Sequence, residues 1–110
     1  MAQKSILKDT PENLIKRYVR VLEKNRIPVE KVILFGSYAR GKAKSWSDLD
    51  ICVVSPKFGK NIYDEMVLLK QLTTEVDTMI EPHPYHPDDL KNSLDPLASE
   101  IQLTGKSITV

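Results

Sequence analysis

Two short apolar runs constrain this chain more than anything else in it: Val32-Ile33-Leu34-Phe35, which stops at Gly36, and Leu49-Asp50-Ile51-Cys52-Val53-Val54, which stops at Ser55-Pro56. Runs this short, rich in β-branched residues and closed by turn signals, predict buried strands over 31–35 and 49–54. Neither approaches the roughly 20 apolar residues of a membrane span. The first residues, Met-Ala-Gln-Lys-Ser-Ile-Leu-Lys, hold no apolar core of signal-peptide length. The expected compartment is the cytoplasm.

Residues 11–25 predict a helix before the first strand. Thr10 is placed to cap it, Pro11 suits its first position, and Leu14, Ile15, Tyr18, Val19 and Leu22 form one apolar stripe. A turn or short helix is expected from Ser37 to about Lys42, then a loop to Ser47. A second helix is expected over about 61–74, where Ile62, Met66, Leu69 and Leu72 recur at helical spacing. That reading treats Met66 as core filler. Over Glu75–Glu81, Val76, Thr78 and Ile80 alternate with Asp77, Met79 and Glu81, the period of a third strand. Pro82, Pro84 and Pro87 exclude its continuation as a central strand. A helical turn over 88–93, a last helix over 97–104 and a frayed tail at 106–110 complete an α/β (α+β) order of elements.

With 16 Lys+Arg against 15 Asp+Glu in 110 residues, the chain has the size of one domain, residues 1–110, and no one-signed field. General nucleic-acid coating and membrane-surface binding rely on such a field. A charged ligand must therefore be bound by local residues. The single cysteine, Cys52, excludes a disulfide framework and a cysteine-based zinc cluster, and reads as a small buried hydrophobe.

Chemistry concentrates between residues 35 and 53. An apolar strand that runs into Gly36-Ser37 and then a helix is a place to hold a phosphate: the glycine lets the backbone approach closely, the serine offers a hydroxyl, and helix amides face the anion. Ten spacer residues after Ser37 come Asp48-Leu49-Asp50-Ile51. Carboxylates two apart in a strand share a side, and two like charges beside an apolar run need a positive neutraliser. Mg²⁺ suits them, since it prefers carboxylate and phosphate oxygens. His83 and His86, in Pro-His-Pro-Tyr-His-Pro, lack a third neighbour for a metal site and read as structural loop residues. Trp46 and Tyr38 read equally as base-stacking or packing groups.

The combined motif, Phe35-Gly36-Ser37-Tyr38-Ala39-Arg40-Gly41 followed by Asp48-Leu49-Asp50-Ile51, resembles the minimal nucleotidyltransferase group of the DNA polymerase beta-like superfamily. The resemblance implies a nucleotidyltransferase fold, a small mixed sheet of three or more strands flanked by helices. It implies transfer of NMP, AMP from ATP foremost, to an acceptor hydroxyl with two Mg²⁺ ions. It also implies a partner: antitoxins of this group pair with HEPN-type helical toxins, and some modify a toxin tyrosine. The alternative is a non-catalytic antitoxin that binds and masks its toxin. Homodimerisation, the NTP and the acceptor stay open.

In that scheme Gly36, Ser37 and Arg40 bind the nucleotide's phosphates, and Asp48, Asp50 and a third carboxylate hold metal and act in catalysis. For the turn and the Asp pair to meet, the first two strands must be antiparallel, and the stretch from Ser55 to Thr74 is long enough for a crossover that makes the third parallel to the second. This puts the start of the third strand near the Asp pair and favours Asp77. Glu81, the competing candidate, would lie ~13 Å further along an extended strand.

Overall fold

The computed structural model describes residues 6–110. The reading of the first residues as lacking a signal peptide falls in part on 1–5, outside the described residues. The elements run α1 (Pro11–Lys24), β1 (Lys31–Leu34), β2 (Leu49–Val54), α2 (Ile62–Leu72), β3 (Ile80–Tyr85), α3 (Pro87–Leu90), α4 (Pro96–Thr104) and β4 (Lys106–Ile108). One 3-10 turn, Thr73–Glu75, follows α2.

α1 begins as its sequence dictates. The Thr10 hydroxyl accepts the Asn13 amide at 3.3 Å, and Pro11, which has no amide to leave unpaired, takes the first helical position. All five residues of the apolar stripe are buried. Full burial of a Leu or Ile side chain is worth about 1.5–3 kcal/mol, so this stripe seats the helix on the sheet. The Tyr18 hydroxyl, fully enclosed, donates to the Leu69 carbonyl at 2.7 Å and ties α1 to α2.

The four strands lie in the order β3-β2-β1-β4. β1 is antiparallel to both β2 and β4, while β3 is parallel to β2. Alternate residues make two cores. Val32, Leu34, Leu49, Ile51, Val53 and Ile80 pack with α1 and α2. Ile33, Phe35, Cys52 and Val54 pack with Leu90, Ala98 and Ile101 from α3 and α4. These last helices are short, and Asp50 and Glu81 on their side of the sheet remain half-exposed.

Three expectations change. The tail is not frayed: Lys106–Ile108 adds a strand beside β1. On α2 only Leu69 and Leu72 are buried, whereas Ile62 and Met66 are exposed. With His83, Tyr85, Asp89 and Leu97 these two line a cleft of about 480 Å³.

The third strand is Ile80–Tyr85, displaced from the expected 75–81 and running through Pro82 and Pro84. Strand order explains the prolines. The Met79 and Tyr85 carbonyls accept the amides of Leu49, at the start of β2, and of Ser55, just past its end, so odd-numbered residues bond inward. The even-numbered Pro82 and Pro84 fall where an amide would point off the edge, and there a missing donor costs nothing. Lys70 Nζ closes the rest of this edge by donating to the Thr78 and Ile80 carbonyls at 3.0 and 2.9 Å.

Candidate active site

β1 and β2 bring the two halves of the motif into contact. The Phe35 amide donates to the Asp50 carbonyl at 3.1 Å, and the chain then turns at Gly36 with φ +73°. A Cβ on Gly36 would stand 2.5 Å from Asp50 Oδ2. The backbone is left-handed and crowded at once, two independent reasons for glycine. Asp50's carboxylate thus lies directly over the Gly-Ser turn.

Residues 36–41 form a run of turns with no regular helix, held by Arg40 N–H to Gly36 O at 3.2 Å and Lys42 N–H to Ser37 O at 2.9 Å. The anion-facing helix terminus expected after Ser37 is replaced by this tight turn. Ser37 is half-buried, Arg40 is exposed at its far end, and Tyr38 packs against the core. The return loop is closed by the Lys44 amide on Ser47 Oγ at 2.8 Å. Trp46 stands outward, 61% exposed. Asp48 is exposed just ahead of β2, and Asp50 is half-buried within it.

Asp77 does not join them. It is 3% exposed, and its Oδ1 and Oδ2 accept the Met79 and Lys8 amides, both at 2.9 Å. Its carboxylate anchors the turn into β3 and the segment before α1. The strand begins three residues later than Asp77, and that shift places Glu81 opposite Asp50 in the parallel ladder. Glu81 Oε2 accepts from Lys70 Nζ at 3.2 Å. Among the described residues no three His, Cys, Asp or Glu side chains are grouped closely enough to hold a metal ion by themselves. What the fold presents is Asp50 and Glu81 paired across the ladder, with Asp48 exposed just ahead of β2, all oxygen donors of the kind Mg²⁺ prefers.

The histidines separate in role. His86 Nδ1 accepts the Asp88 amide at 3.1 Å and caps α3, as a structural residue. His83 is no loop residue: it lies in β3, its Nε2 3.6 Å from Asp50 Oδ1. Two residues beyond Glu81, it shares that residue's face, a period-2 signal hidden by the intervening prolines.

Titration behaviour follows burial nearby. Burial pushes the Cys52 thiol up to about 12. The Tyr85 phenol is also raised, first by burial and then by its hydrogen bond to Asp95. That same hydroxyl holds the Asp95 carboxyl below its ordinary value. All three are structural groups on the α3–α4 side.

Residues 15–98 match the profile of the family described as nucleotidyltransferase domain. This chain belongs to that family. Two provisionally named protein adenylyltransferases of Methanocaldococcus jannaschii are similar to this nucleotidyltransferase domain. One is 38% identical over 82 residues, covering 70% of the chain and 55% of the relative. The other is 50% identical over 44 residues, covering 39% and 44%. The chain therefore spans about half the length of the curated relatives it matches.

Among solved structures, a toxin–antitoxin with AMP-PNP is 28% identical with TM-score 0.59, over 87% of this chain and 70% of that one. A provisionally named nucleotidyltransferase of Sulfolobus solfataricus, 22% identical with TM-score 0.57 over 79% and 84%, shares the fold.

Proposed function

We propose that this nucleotidyltransferase domain moves AMP from ATP to an acceptor hydroxyl, and that the acceptor is a tyrosine of an HEPN-type toxin for which the chain is the antitoxin. The observation that carries the reading is the seating of Asp50's carboxylate over Gly36, which joins a metal-binding group to a phosphate-binding turn. The names of the relatives support adenylyl transfer to protein, and the AMP-PNP-bound toxin–antitoxin supports both nucleotide and partner.

Asp48 and Asp50, with Glu81 from the adjoining strand, would hold Mg²⁺, which when bound neutralises phosphate charge and stabilises the entering and leaving oxygens. The chain's own groups do the rest. Gly36 lets the backbone approach the phosphates, Ser37 adds a hydroxyl, and Arg40 offsets charge on the departing pyrophosphate. The acceptor oxygen bonds to the α-phosphorus as the bond to the bridging oxygen breaks, and pyrophosphate leaves. Glu81, on the side of Asp50 away from the Gly-Ser turn, receives the acceptor's proton at Oε1, with Lys70 fixing its carboxylate through Oε2. Asp77, expected from the sequence to play this part, has both oxygens occupied.

The test is incubation with α-labelled ATP, Mg²⁺ and a co-purified partner. Label is expected on a partner tyrosine, lost with Asp48→Asn and Asp50→Asn in folded protein. Wild-type protein that binds the partner yet transfers no label would overturn the enzymatic reading in favour of a masking antitoxin.

A further inference from the structure

His83 carries a polar atom that the fold encloses without satisfying. Its Nε2 is buried and has no hydrogen-bond partner among the described residues. Such atoms are uncommon in native proteins, and each calls for a reason. The imidazole is not loosely placed. Its ring packs edge-on to Phe35, centroids 5.1 Å apart at 62°, and its backbone pairs with Cys52 in the parallel ladder. From there Nε2 faces Asp50 Oδ1 at 3.6 Å, beyond hydrogen-bond length but within reach of a small carboxylate rotation.

The other oxygen of the same carboxylate, Oδ2, lies over Gly36. Asp50 is therefore addressed from both sides, by an imidazole nitrogen at one oxygen and by the Gly-Ser turn at the other. We propose that His83 is a positioning residue, whose Nε2–H holds Asp50 Oδ1 so that Oδ2 is presented to a divalent cation at the Gly36–Ser37 turn. The inference rests on the nucleotidyl-transfer reading of this site. A buried donor behind a ligating carboxylate fixes its orientation before the cation arrives, and partners of this kind commonly change metal affinity by about 10–100-fold. His86, whose Nδ1 is spent on the α3 cap, serves as the internal control.

Mn²⁺ binding, measured by paramagnetic resonance with a non-reactive ATP analogue present, tests this without turnover. His83→Phe keeps the packing and removes the donor: the Mn²⁺ dissociation constant and the metal concentration for half-maximal transfer should both rise about 10-fold, with kcat at saturating metal changed far less. His83→Gln, which returns an N–H near the same place, should recover most of the affinity. Wild-type affinity in folded His83→Phe, equal loss in His83→Gln, or a wild type that binds no Mn²⁺ would each overturn the proposal.

Should His83→Phe fail to fold, nitrogen-15 spectra of the wild-type imidazoles decide the matter. Mg²⁺ with the analogue should shift the His83 Nε2 resonance and leave His86 in place, and an unmoved His83 signal would overturn the assignment. Metal binding is read on unreacted protein. Absent labelling of any acceptor would therefore sink the transfer reading while the metal titration still answers for His83.

Discussion

Glu81 stands directly across from Asp50 in the parallel β2–β3 ladder, on the sheet face that α3 and α4 leave partly open. This pairing, and the burial of Asp77 in the turn before β3, give two acidic residues four positions apart different surroundings. Glu81→Gln should lower transfer roughly 100-fold, about 2.7 kcal/mol of transition-state stabilisation, with little change in unfolding free energy. Asp77→Asn should do the reverse. It swaps an acceptor of a buried backbone amide for a donor, at a cost of about 1–3 kcal/mol, while transfer per folded molecule persists. Urea unfolding together with labelled-ATP assays on both variants separates them, and the opposite pattern would return the catalytic role to Asp77.

Gly36 and Gly41 share a left-handed backbone, φ +73° and +68°, but differ in surroundings. A Cβ at Gly36 meets Asp50 Oδ2, whereas one at Gly41 meets nothing within 4 Å. Gly41→Ala should cost about 1–2 kcal/mol of backbone strain and leave transfer intact. Gly36→Ala should carry the same strain and in addition displace the Asp50 carboxylate, lowering transfer by far more than its stability loss explains. Equal activity in the two variants would contradict the seating of Asp50 on the turn.

The buried hydroxyl of Tyr18 can be tested by itself. Tyr18→Phe removes its bond to the Leu69 carbonyl and leaves a buried acceptor unpaired, for an expected loss of about 1–2 kcal/mol. Chemical denaturation reads this directly, and a neutral result would show that α1 and α2 are held by apolar packing alone.

Stability should decline in alkali. The Cys52 thiol is raised from 9.0 to about 12 by burial, and the enclosed Tyr18 phenol is raised from 10.0 by the same cause. Both groups are neutral when protonated. Above pH 9 the native state therefore retains a thiol proton that the unfolded chain releases, and unfolding free energy falls by up to about 1.4 kcal/mol per pH unit for each such group. Denaturation midpoints should drop from about pH 9, and Cys52→Val should remove the earliest part of that decline. Native protein should also resist thiol alkylation at pH 8, reacting only once unfolded.

The placement of β3 shows where reading the sequence succeeded and where it stopped. The parallel pairing of β3 with β2 followed from the length of the connection, and it is observed. The strand's start did not follow, because Val76 and Asp77 are buried in the turn that precedes Ile80, and the apolar spacing across that turn imitates a strand's alternation. The prolines argued correctly against a central position, yet an edge strand accepts them at outward-facing positions. His83 was hidden for the same reason, and Met66 because a helical apolar stripe does not say which half of it the sheet will cover.

The sequence by itself determined the local devices: the Thr10–Pro11 start of α1, the two buried strands, and the glycine and aspartates whose spacing marks the family. These depend on backbone conformation, capping and periodicity, which neighbouring residues impose on one another. Only the tertiary structure decided which acid stands beside Asp50, that His83 backs its carboxylate, and that Lys106–Ile108 completes the sheet. Those outcomes depend on register between strands distant in the chain, and a shift of a few residues there exchanges one side chain for another without altering any local pattern.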